Sequence, residues 1–137
     1  MKTHTEYLTI QTNQKREIRP ITEDVKAALK KSEFTDGLVV AGALHANSAV
    51  VFGLNEPGFF QDLAALLESL APERNDYKLA RGFESNASTA LQAVLVHPQV
   101  TVTFSEGRLD LGPWQEILYV EFDGNRPKRV VLKFLGD

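Results

Sequence analysis

The order of apolar and polar positions divides the chain into strands and helices before any residue is considered for chemistry. Residues 5–11 alternate, with threonines and Tyr7 set between Leu8 and Ile10, which is the period of a strand with one buried face. Residues 15–19 form a short partner strand that Pro20 stops, and Thr22 then offers an N-cap to a helix over 21–31. Its apolar stripe is Val25, Ala28 and Leu29; Glu23 and Asp24 lie in the first turn and Lys30 and Lys31 in the last, as the helix dipole favours. Two continuous apolar runs, 37–43 and 49–52, predict central strands on either side of the polar connector 44–48.

After Pro57, the residues Phe59, Phe60, Leu63, Leu66, Leu67 and Leu70 recur at three- and four-residue steps until Pro72, the strongest helical signal in the chain. Residues 72–85 read as a polar loop, and 86–96 as a short helix with Leu91, Val94 and Leu95 inward. From there the pattern is antiparallel sheet: Val100, Val102 and Phe104 alternate with threonines, residues 105–107 turn, and a strand runs to Leu111. A long strand follows over 114–122, residues 123–127 turn it back, and 129–135 close the sheet. The sum is an α/β fold of largely antiparallel strands with about three helices.

The composition narrows this picture. A chain of 137 residues, 43% hydrophobic and 24% charged, buries a core without staples and reads as one domain over residues 1–137. A net charge of -3 gives no surplus for nucleic acid. No apolar run approaches the roughly 20 residues of a membrane span, and residues 1–7 form no signal core, so the expected setting is the cytoplasm. The absence of cysteine removes disulfides, thiolate nucleophiles and cysteine-type zinc sites.

Three histidines remain as candidates. His4 reads as a solvated strand residue near a chain end, and His97, which precedes Pro98, as a helix terminator. His45 follows one buried run and precedes Asn47, Ser48 and the next run, so a rigid sheet edge can present its imidazole. A structural role for it stands on equal footing. Glu56 and Asp62 flank the start of the second long helix, where free N–H groups attract anions, although Asn55 or Glu56 can equally serve as its cap. Asn86 has the same two readings, ligand contact or cap. No glycine-rich phosphate loop, nucleophile elbow or His-Glu-x-x-His pair is present.

Together, Gly42-Ala43-Leu44-His45-Ala46-Asn47-Ser48-Ala49, Leu54-Asn55-Glu56, Gln61-Asp62-Leu63, Tyr77 and Asn86-Ala87 with Leu91 resemble the YjbQ family. So, above all, does Gly107-Arg108-Leu109-Asp110-Leu111-Gly112-Pro113-Trp114-Gln115-Glu116-Ile117, and residues 121–129 continue the likeness. Members of that family are often labelled secondary thiamine-phosphate synthase. The resemblance implies an α/β/β sandwich, a homotrimer, and a polar pocket built on histidines, of which His45 matches the first. Where the family has further histidines this chain has Leu79, Ser88 and Ala90, and Pro113 replaces a threonine.

An open zinc site takes about three protein ligands, so one histidine with asparagine and serine leads us to expect no bound transition metal, with Mg²⁺ the one cofactor to consider if the chain is catalytic. His45, Asn47, Ser48 and Ser88, beside a helix start at Asn86, can instead hold a phosphate or carboxylate.

The resemblance leaves two functions open. In the first, which the family label implies, the chain would join a pyrimidine diphosphate to a thiazole phosphate. His45 then handles a proton or contacts phosphate, Asn55, Glu56 and Asp62 hold charged substrate or Mg²⁺, and Arg108 and Arg126 neutralise phosphate. In the second, it is a non-catalytic trimer that binds a small anion or a protein partner, with Trp114 packed at the sheet or subunit interface.

Overall fold

The strands form two antiparallel sheets facing each other across the core. The computed structural model describes residues 1–74, 76–79, 87–124 and 126–137. The larger sheet contains β1 (Lys2–Ile10), β3 (Gly37–Ala43), β5 (Gln99–Ser105), β6 (Arg108–Leu109) and β8 (Lys128–Gly136), in the order β1-β8-β3-β5-β6. The smaller contains β2 (Glu17–Pro20), β4 (Ser48–Gly53) and β7 (Glu116–Glu121), in the order β2-β7-β4. The inward positions of the larger sheet, among them Val39, Ala41, Val102, Phe104, Leu132 and Phe134, meet Val50, Ile117 and Tyr119 of the smaller.

Helix α1 (Thr22–Ser32) inserts Val25, Ala28 and Leu29 into the same core, as its stripe requires. Helices α2 (Pro57–Leu70) and α3 (Ala87–Val96) cover the other face of the smaller sheet, where Leu67 and Ala93 pack on Ala49, Val120 and Phe122. The α/β fold with antiparallel sheets is therefore as the pattern predicts.

Several local expectations give way. The partner of β2 is β7, not β1 (Glu17↔Glu121 to Pro20↔Leu118), so the first two strands separate into different sheets. β3 is central, but β4 is an edge strand whose apolar run is explained by the two layers packed on it. Likewise β7 and β8 lie in different sheets, and the turn between them is a crossover rather than a hairpin. The strand expected to reach Leu111 is only two residues long, and β7 begins at Glu116, because Trp114 adopts a left-handed backbone (φ 68°) that cannot continue a ladder.

Thr22 is not the cap of α1. The boundary residue is Ile21, and the buried Thr22 hydroxyl donates to Glu116 Oε1 (2.8 Å) and accepts from Ile117 N–H (2.9 Å), fastening the helix to the start of β7. Thr22→Val keeps the shape but orphans a buried N–H. It is expected to cost about 1–3 kcal/mol in urea unfolding, and an unchanged midpoint would show that the hydroxyl contributes nothing.

The largest departure is the outer helical layer. α3 buries Ser88, Thr89 and Gln92, while Leu91, Val94 and Leu95 face outward, the reverse of the expected orientation. Gln92 explains part of this, since its amide donates to Ala71 O (2.9 Å) and accepts from Arg16 (2.7 Å), so its burial is satisfied. On α2, Leu66 and Leu70 are also exposed. No helix among the described residues is long and apolar enough to cross a membrane.

Candidate functional site

Two of the segments that cross between the sheets meet at one end of the molecule. Residues 44–47 carry the chain from β3 to β4, and residues 122–127 carry it from β7 to β8. They are joined by Phe122 N–H to Asn47 O (3.1 Å), and Leu44 N–H bonds Arg129 O at the start of β8 (3.1 Å). The second crossover is tight: a Cβ on Gly124 would lie 2.2 Å from Gln14 O, and its N–H bonds Lys15 O (2.9 Å).

His45 lies half-buried on the first crossover and the exposed Arg126 on the second. Behind them is a cluster that the sequence reading missed. Alternation along β8 turns Lys128 inward with Val130, Leu132 and Phe134, leaving it fully buried. Its ammonium pairs with the buried Glu121 carboxylate and donates to Asn47 Oδ1 (2.8 Å). Glu121 also accepts from Tyr119 OH (2.7 Å) and from Asp123 N–H (3.2 Å). Asn47 Nδ2 donates to Asp123 Oδ2 (3.1 Å), and Arg126 lies 3.6 Å from the same oxygen.

The electrostatics follow from this arrangement. Burial lowers the pKa of His45 below its ordinary value, and the cations Lys128, Arg126 and Arg129 lower it further against the opposing pull of Glu121. Burial pushes the Tyr119 phenol far above its usual range, with the Glu121 carboxylate beside it acting in the same direction. The shift favours the neutral His45 imidazole, with burial as its first cause and the neighbouring cations as its second.

The other expected residues are dispersed. Asn47 and Ser48 are at the site but buried. Asn55 and Glu56 follow the far end of β4, about 17 Å of strand away from Ser48. The Glu56 carboxylate caps α2, accepting from Gly58 N (2.9 Å) and Phe59 N (2.7 Å), and those bonds hold its pKa below the usual value. Asp62 is exposed on α2, Ser88 is buried in the first turn of α3, and Asn86 lies outside the described residues.

Arg108 sits at the opposite end of β3 from His45, because Gly107 N–H bonds Thr35 O just before that strand. It lines a separate hollow with Lys26, Lys30 and Phe34. His4 is not simply solvated: its Nε2 is 2.7 Å from Glu6 Oε2 and its ring packs near Phe134. His97 ends α3 as expected, with φ 78° and its N–H on Ala93 O (3.0 Å).

Among the described residues no three His, Cys, Asp or Glu side chains converge on a point that could hold a metal ion. The donors at His45 do not fit one either, since a single imidazole lies beside an Asn47 amide that is already engaged, and the nearby carboxylates Glu121 and Asp123 are taken up by Lys128 and by Asn47 and Arg126. The arrangement is chemically suited to an anion.

A family model described as UPF0047 protein YjbQ-like matches residues 6–137. A UPF0047 protein of Archaeoglobus fulgidus is 39% identical over 128 residues, covering 93% of this chain and 98% of its own length. UPF0047 protein YugU of Bacillus subtilis is 28% identical, with 94% and 97% covered. Among solved structures, a YbjQ-like protein of unknown function from Sulfolobus solfataricus P2 superposes with a TM-score of 0.94 at 25% identity, with 99% of both chains covered.

Proposed function

This chain belongs to the UPF0047 YjbQ-like family, and we propose that it is a trimeric binding domain for a small anion, a phosphate or carboxylate, held by His45 and Arg126. The observation that carries this reading is that the first crossover, which bears the half-buried His45, is bonded to the second, which bears the exposed Arg126, through Phe122 N–H and Asn47 O (3.1 Å). An anion there would also offset the cations that, after burial, help to lower the His45 pKa. The exposed leucines and valine of α2 and α3, together with Trp114 (85% exposed), support self-association, and the cytoplasm is the expected setting.

Sulfate is a suitable probe because its charge stays constant between about pH 5 and 8, where histidine titrates. His45→Ala is expected to weaken sulfate binding about tenfold, read by calorimetry, the loss of one charge-assisted hydrogen bond. Wild-type affinity should rise as the pH falls below 6.5, because protonated His45 adds a charge, and His45→Ala should lose that dependence. Without anion the sign reverses. A folded-state pKa below 6.5 means that the unfolded chain binds more protons just below that pH, so stability is complete above 6.5 and declines as the pH falls through the window.

Equal sulfate affinity in wild type and His45→Ala would end the anion reading at this site. The synthase function implied by the family motif uses the same His45, and an assay of thiamine-phosphate formation with and without Mg²⁺ distinguishes the two. Turnover that disappears in His45→Ala would replace binding by catalysis.

A further inference from the structure

We propose that Asn47 and Lys128 are positioning residues of the anion site, which orient the Arg126 guanidinium through Asp123 without touching the ligand themselves. This rests on the anion-binding reading of His45 and Arg126.

A lysine ammonium can only donate, so Asn47 must turn Oδ1 toward Lys128 Nζ (2.8 Å). The amide group is then fixed in its other direction, and Nδ2 is directed at Asp123 Oδ2 (3.1 Å). With Asn47 only 7% exposed, its amide is committed to the protein rather than to solvent or a ligand.

Asp123 is held twice. Its side chain is held by Asn47, and its backbone N–H by Glu121 (3.2 Å), the carboxylate that also neutralises Lys128. The carboxylate oxygen fixed in this way is the one 3.6 Å from Arg126, three residues further along the crossover. A buried ion pair with no access to ligand is thereby linked, through one amide and one carboxylate, to an arginine that is largely exposed. An arginine on a turn otherwise loses rotamer freedom when it closes on an anion, and pre-orientation removes part of that cost.

The test is a double-mutant cycle in the full-length protein, reading the sulfate dissociation constant by calorimetry. Asn47→Leu and Arg126→Ala are each expected to weaken sulfate about fivefold, and Asn47→Leu should cause no further loss in the Arg126→Ala background. Additive losses, or no loss in Asn47→Leu alone, would overturn the proposal. Asp123→Glu keeps the charge but moves the carboxylate away from its position between Asn47 and Arg126, and it replaces Asn47→Leu in the same cycle, with the same expectation, if the latter does not fold. If the wild-type protein binds no sulfate, the anion reading fails, and the linkage is read from the NMR order parameter of the Arg126 Nε–H group. That value is expected to drop in Asn47→Leu relative to wild type, and an unchanged value would overturn the positioning role.

Discussion

Lys128→Met is expected to destabilise the folded protein by about 3–5 kcal/mol, which is a large part of the stability of a domain of this size. The cost comes less from losing an attraction than from what is left behind. Glu121 is as inaccessible as Lys128, and without the ammonium its carboxylate keeps, among the described residues, the Tyr119 hydroxyl and the Asp123 N–H. Asn47 loses the donor at Oδ1 at the same time.

The companion prediction is that Lys128→Met with Glu121→Leu recovers more than half of the loss, since an apolar pair of similar volume removes the stranded charge. Urea unfolding of the two single variants and the double variant measures this coupling directly. Additive single losses would mean that the pair is not the unit that matters, and a mild Lys128→Met would mean that water or a rearranged side chain replaces the ammonium.

The second large effect concerns assembly. Leu91 and Leu95 on α3, and Leu66 and Leu70 on α2, are pairs four residues apart on outward faces. A monomer in water gains nothing by showing such rows, whereas a subunit interface buries them. Sedimentation equilibrium of the wild type is expected to give three chains of 15.2 kDa. Leu91→Glu with Leu95→Glu should give one chain, with helical content unchanged because neither side chain belongs to the core of its own chain. A shift of at least 100-fold in the dissociation constant is expected from two charges placed in an apolar contact. A wild-type protein that is monomeric at micromolar concentration would remove this interface and the trimer with it.

Both predictions arise where sequence reading and structure part company. Lys128 follows a proline in a polar turn, so a strand expected to begin at Arg129 leaves it outside. Starting the alternation one residue earlier puts it in phase with Val130, Leu132 and Phe134, and Glu121 is in phase with Ile117 and Tyr119. Charges at inward strand positions were therefore the available signal. For α3, the apolar row was legible but its direction was not: a helix pattern shows that one face seeks burial, without showing whether the partner is its own sheet or another subunit.

The candidate site divides in the same way. His45 was recognisable from its position between two buried runs, and Asn47, Ser48 and Arg126 belong to the same end of the molecule. Asn55, Glu56 and Arg108 are close to it only in motif order, because β3 and β4 carry the chain away to their opposite ends.

By itself the sequence determined most of the strands and helices, the inward row of β5, the stripe of α1 and the α/β class, because these follow from backbone periodicity and burial within short segments. Only the tertiary structure decided that the strands divide into two sheets, that two crossovers meet at His45, and that Lys128, Glu121, Tyr119 and Asn47 share one hydrogen-bonded cluster. Those contacts join residues up to 81 positions apart, as Lys128 does with Asn47. Which strand pairs with which is chosen by the joint packing of both layers and α1, a sum over the whole core that no local window contains.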